Sequence, residues 1–210
     1  VANLNGEAPI RGTVAPFGER SGFRIQSQDA GRVMKAAGIF ERGRGGILDL
    51  SMRPTDRPGH YSGNVAISQI RVVDAPVLAG MLDAISVVGL LSQLSGPGIL
   101  FSNVTGEFRL TPSAVEITRG SAVGASLGIS AAGVYQTTAG IIDLRGTISP
   151  IYALNGIGQI FSKKGEGLFG FNYQLSGPSA SPRVSVNPLS ILTPGMFREL
   201  FRSNPPKLAP

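Results

Sequence analysis

Apolar and polar residues alternate along most of this chain, and where the alternation stops, either glycine and proline or a short helical period replaces it. The runs IRGTVAPF and GFRIQSQ, over 10–28, predict two strands about a turn at Gly18. Asp29 then stands where an N-cap belongs, opening a short helix that turns Val33, Met34, Ala37 and Ile39 to the core before Gly43, Gly45 and Gly46 end it. Ile47, Leu48 and Leu50 begin a strand that lasts to the loop at 54–59. The same order follows again. Residues 61–73 are extended and β-branched, Asp74 follows the strand, Ala75, Pro76, Val77 and Leu78 open a helix reaching about 94, and Gly96 and Gly98 lead into Ile99, Leu100 and Phe101. Asp29 and Asp74 are 45 residues apart, which suggests a repeated unit over 10–60 and 61–110.

The 77–94 segment is the most apolar. Val77, Leu78, Met81, Leu82, Ile85, Val88, Leu91 and Leu94 form a wide face that Asp83, Ser86, Ser92 and Gln93 interrupt. Spanning a bilayer would place Asp83 near its centre at about 2.5–3.5 kcal/mol, so the helix is expected to plug or cover a sheet. From 103 to 186 the pattern is a meander. Phe108 and Leu110, then Val115 and Ile117, then Val123, Leu127 and Ile129, then Ile142, Leu144 and Ile148 alternate with small or polar partners, and turns are expected near Pro112, Gly120, Thr137 and Pro150. Connections this short make antiparallel neighbours. Thr105, Glu107, Arg109, Glu116, Thr118 and Arg145 fall on the opposite, wet face.

The last quarter carries three instructions in succession. Phe169, Phe171, Tyr173 and Leu175 line one face of a strand, 176–182 turns the chain, and Val184 and Val186 resume the alternation until Pro188. Thr193 as N-cap and Pro194 at the first helical position then predict a terminal helix over 188–202, with Met196, Phe197, Leu200 and Phe201 on one face and Arg198, Glu199 and Arg202 on the other. Residues 151–164 read as a short helix or an irregular link.

Composition agrees with a mainly β chain rich in turns: 29 of 210 residues are glycine. Charged residues make up only 15 %, and the mean hydropathy is +0.16, yet no apolar run approaches the ~18 residues of a membrane span. The apolar surplus belongs either to tightly packed sheets or to a second apolar surface that the core does not fill. The net charge of +6 is spread thinly from Arg11 to Arg202, without the clustered basic stripe and stacking aromatics of a nucleic-acid binder. There is no cysteine, hence no disulfide, thiolate metal site or cysteine nucleophile. The chain opens at Val1 in polar, strand-like sequence, which reads as a fragment of a longer protein.

Candidate chemistry is sparse. Gly165, Gly167 and Gly170 match G-x-G-x-x-G, but Lys163 and Lys164 precede them and an alternating strand follows, so the helix N-terminus that would hold a pyrophosphate is missing. His60, the single histidine, has no acid beside it in sequence and no cysteine or second histidine to share a metal. No local motif proposes a nucleophile, base and orienter, so neither an enzyme, nor a cofactor, nor a metal site is expected.

Several stretches together resemble one family. DAGRVMKAAGIFERGRGGILDLS, DAPVLAGMLDAISVVGLLSQLSGPGILF, IDLRGTISPIYALNGIG and, above all, GEGLFGFNYQLSGPSASPRVSVNPLS with TPGMFRELF are similar to the C-terminal region of AsmA-like proteins, the TamB and YhdP types among them, over roughly 29–201. The resemblance implies a periplasmic segment of a Gram-negative envelope protein, with an inner-membrane anchor outside this chain. It also implies repeating β-groove units whose apolar channel carries phospholipid toward the outer membrane. It brings no catalytic residue.

The expected fold is therefore a single elongated domain over 1–210: a curved antiparallel meander forming an apolar groove, covered or capped by amphipathic helices. Candidate lining for phospholipid acyl chains is Phe108, Leu110, Val115, Ile117, Leu127, Ile129, Ile142, Leu144, Phe169, Phe171 and Tyr173. The alternative is a non-catalytic scaffold assisting outer-membrane protein assembly, whose sheet is filled by its own helices and whose Met196, Phe197, Leu200 and Phe201 face docks an envelope protein.

Overall fold

Nearly every alternating run becomes a strand of one sheet. A computed structural model describes residues 2–4, 8–18, 20–150 and 170–187. In chain order the elements are β1 (Ala2–Leu4), β2 (Ala8–Phe17), β3 (Arg20–Ser27), α1 (Ala30–Ala36), β4 (Gly43–Arg44), β5 (Ile47–Pro54) and β6 (Tyr61–Val72). Then come α2 (Pro76–Ala84), α3 (Val88–Ser95), β7 (Ile99–Leu110), β8 (Ala114–Gly124), β9 (Leu127–Gln136), β10 (Ile141–Pro150), β11 (Phe171–Pro178) and β12 (Arg183–Asn187). The strands lie in sequence order from β1 to β12, every pair antiparallel, with the two-residue β4 set aside to pair with β6. The result is an open, curved, mainly β structure. The terminal helix expected over 188–202, its docking face Met196, Phe197, Leu200 and Phe201, the 151–164 link and Phe169 lie outside the described residues.

Both helical connections leave the sheet at the same strand ends. α1 joins β3 to β5, and α2 with α3 joins β6 to β7, while tight hairpins close the opposite ends. Asp29 is the cap that the sequence suggests: its Oδ1 accepts the Arg32 amide at 3.0 Å. The amides of Ala30 and Gly31 donate to the carbonyls of Gly46 and Gly45, which satisfies the first donors of the helix. α1 also sits backbone to backbone on β4, for a Cβ on Gly31 would lie 2.6 Å from the Gly43 carbonyl.

Five expectations are corrected. Asp74 is not a second cap: its φ is 45°, the N-cap is Ala75 without a side-chain hydrogen bond, and Pro76 at the start stands in for a cap by lacking an amide hydrogen. The single 77–94 helix is two helices, broken at 85–87 around Ser86 with φ 58°. Within α1 the core face is Ala30, Gly31 and Val33, with Met34 half-buried against the core as expected, while Ala37 and Ile39 are exposed, Ile39 at 75 %. The turn near Gly120 is a bulge. The register of β8 slips by one residue against both neighbours between Ile117 and Gly120, so both face the same side although three apart, and the chain turns only at 125–126. Val123, after that shift, lies on the polar side, exposed beside Asn103.

The helices lie on the apolar face. Leu78, Met81, Leu82, Leu90 and Leu94 are buried in one cluster with Ile67, Ile70, Phe101, Leu127, Ile148, Tyr173 and Leu175 of the sheet. α2 leaves β6 yet packs against β12, six strands away, where Gly80 comes up to Val184. A flat sheet would separate those strands by roughly 29 Å at the usual 4.7–4.9 Å spacing, further than a nine-residue helix of ~13 Å spans, so the sheet curls around the helix pair.

Candidate functional site: an apolar trough left partly uncovered

Register places the candidate lining residues precisely enough to read them as rows, because directly paired residues share a face. Nearest the hairpin ends, Pro54, Tyr61, Leu110, Val115, Tyr135 and Ile142 are paired in succession from β5 to β10. The next row is Phe23, Met52, Gly63, Phe108, Ile117, Gly133, Leu144, Leu175 and Val184. Tyr173 stands one row deeper, Ile129 and Phe171 flank Ile148 in the row after, and Leu127 is paired with Pro150 at the helix end. All ten candidates among the described residues thus share one face of the sheet.

They do not share one environment. Leu127 is fully buried and Tyr173 nearly so, both in the helix-packed core, and neither contributes to an open surface. Ile129, Ile142, Leu144 and Phe171 are half-buried against that core. Phe108, Leu110, Val115 and Ile117 are half-buried but stand apart from it, as do Phe23, Ile25, Met52, Tyr61 and Tyr135. Among the described residues, then, the helices fill the trough at one end and along β10 to β12, while an aromatic and aliphatic stretch from β3 to β9 is left at the hairpin end. Phe23, Met52, Tyr61 and Tyr135 were absent from the candidate set, although alternation with Ile25, Leu50 and Val65 was the available signal.

Glycine shapes the trough. Gly106, Gly120, Ala131 and Gly146 are paired consecutively across β7 to β10, a lane of small residues on the apolar face where curvature brings strands and overlying rings close. Aromatic rings lie over glycines: a Cβ on Gly63 would be 2.3 Å from the Phe108 ring, and one on Gly146 would be 2.9 Å from the Tyr173 hydroxyl. That hydroxyl donates to the Ser130 carbonyl at 2.7 Å, and burial pushes its pKa above the ordinary tyrosine range. Phe23 and Tyr61 pack with ring centroids 5.9 Å apart, tilted by 56°.

The other face is polar, as the sequence suggests, but not uniformly wet. Arg24 Nε and Nη2 donate to the two Asp49 oxygens at 2.9 and 2.5 Å, which lowers the Asp49 pKa and raises that of Arg24. Arg119 pairs with Glu107 at 3.0 Å. Glu116, at 3 % exposure, is buried on this face, with Arg109 at 3.5 Å. Among the described residues no three His, Asp or Glu side chains gather as a metal site, and no helix is long and apolar enough to cross a membrane.

The fold and its trough define an open, one-sidedly apolar antiparallel sheet with a helix-filled end. Comparison with protein-family models, with curated proteins and with solved structures finds no match to this chain.

Proposed function

We propose that this chain is a lipid-binding domain that takes phospholipid acyl chains along the uncovered part of the apolar face, without catalysis. One observation carries the reading: Phe23, Met52, Tyr61, Phe108, Leu110, Val115, Ile117 and Tyr135 lie on one face, half-buried and outside the core that the helices complete. Each acyl CH₂ moved from water onto such a surface is worth about 0.8 kcal/mol, and rows of alternating side chains let a chain slide without a specific site. The head group stays at the hairpin rim, in water. The resemblance to AsmA-like proteins supports a periplasmic location, an anchor outside this chain and transfer toward the outer membrane as the wider role.

The test is to purify the domain and extract it for lipid mass spectrometry, with photo-crosslinkers at Phe108 and Ile142. Bound phospholipid and acyl adducts at Phe108 are expected, and their persistent absence would remove the proposal. The helix-filled half favours a second reading, a scaffold that works through protein contacts. It expects Phe197→Ser with Phe201→Ser to abolish partner pull-down while any bound lipid is unchanged.

A further inference from the structure

On the opposite face we infer a second, polar binding site, for a small hydroxyl-bearing phosphate ester. The sheet folds there into an open cleft of about 630 Å³ across β3, β5, β6, β7 and β8, within the ~300–1,000 Å³ usual for small-molecule sites. Register explains its layout. Arg24, Ser51, Asn64, Glu107 and Arg119 form one row across the five strands, and Asp49, Ala66, Thr105 and Ser121 form the next over four of them. Charged groups therefore stand at the two ends, and short side chains make the floor between them.

Two features of that cleft select a ligand. Both carboxylates are already engaged, Asp49 by Arg24 and Glu107 by Arg119, whereas Arg53, which also lines the cleft, has no acidic partner among the described residues. Among the described lining residues, three guanidinium groups against two carboxylates leave one positive charge to be met. The floor groups Ser51, Asn64, Thr105 and Ser121 make no side-chain hydrogen bond to the described protein, so they present unclaimed donors and acceptors. A guanidinium matches phosphate oxygens in fork geometry, and hydroxyls on the same ligand match the floor. Among the described residues no aromatic ring lines the cleft, which disfavours a neutral sugar held by stacking. The site is on the far side of the sheet from the apolar trough and does not depend on it.

The experiment is a titration of the full ¹⁵N-labelled chain with sn-glycerol 3-phosphate, followed by amide NMR, with inorganic phosphate as comparison and with Arg53→Gln and Thr105→Val variants. Saturable shifts at Ser51, Asn64, Thr105 and Ser121 are expected, with affinity reduced about tenfold by Arg53→Gln in an otherwise unchanged spectrum. Flotation with phosphatidylglycerol vesicles separates the two sources of this chemistry. Capture that Arg53→Gln removes assigns the site to a lipid head group; Arg53-dependent binding of the soluble ester alone assigns it to a free phosphate ester. The inference is overturned if no shift occurs at about 10 mM ester, a concentration that would reveal even a millimolar complex. It is equally overturned if Arg53→Gln leaves the shifts unchanged, or if inorganic phosphate binds as tightly as the ester.

Discussion

At the scale of single residues, the tightest constraint in the sheet is Gly146. A Cβ there would lie 1.8 Å from the Ser130 carbonyl, a backbone atom that β9 and β10 hold between them, so no rotamer change can relieve the clash. Gly146→Ala is expected to cost about 2–4 kcal/mol, read as a lowered urea midpoint, whereas Gly63→Ala, which meets only the far end of the Phe108 side chain, should cost less. Asp49 carries a pH dependence. Its folded-state pKa lies below the ordinary value, so the Arg24 pair stabilises the fold above about pH 4 and that contribution disappears as pH falls through the depressed pKa. The pair is largely solvent-exposed and the effect small. Asp49→Asn should lower the denaturation midpoint slightly at pH 7, and the difference from the parent should shrink as pH falls through the depressed Asp49 pKa.

Among the elements, α2 and α3 show how burial, rather than helical period alone, determines which side chains matter. The sequence face over 77–94 includes Val88, yet the break at Ser86 rotates α3 so that Val88 is 69 % exposed while Leu90 is fully buried. Leu90→Ala should therefore destabilise by about 2–5 kcal/mol and Val88→Ser by less than ~0.5 kcal/mol, measured side by side by thermal or urea unfolding. The break was not legible because Ser86 sits in a run whose apolar spacing continues across it, and a positive φ at a serine has no clear sequence signal. The bulge in β8 is similar. Ile117 and Gly120 violate period two, which reads equally well as a turn, and only the pairing of β8 with both β7 and β9 shows that the strand continues.

For the whole molecule, the open question in the sequence was whether the apolar helical segment fills the groove or covers it from outside. It lies inside the curl, and among the described residues that placement divides the apolar face into a closed core and a stretch the helices do not cover. The division makes a prediction. Phe108→Gln with Ile117→Gln should lose most of the bound lipid by mass spectrometry while retaining the strand circular dichroism signal, because these side chains stand apart from the helix-packed core. Leu127→Ala should do the reverse, lowering stability by about 2–5 kcal/mol with little direct effect on lipid, since its side chain is fully buried in the core cluster.

The sequence by itself determined β2, β3 and β5 to β12, their antiparallel order, the two helical connections and the apolar side of nearly every strand, because period-two alternation and short connections are local properties of the chain. Tertiary structure alone decided how that face is used. Leu127 and Phe108 carry the same alternating signal, yet one ends inside the core cluster and the other outside it, because burial comes from chain segments many strands away. The lane of small residues Gly106, Gly120, Ala131 and Gly146 on that face likewise exists only once register has brought four separate strands together.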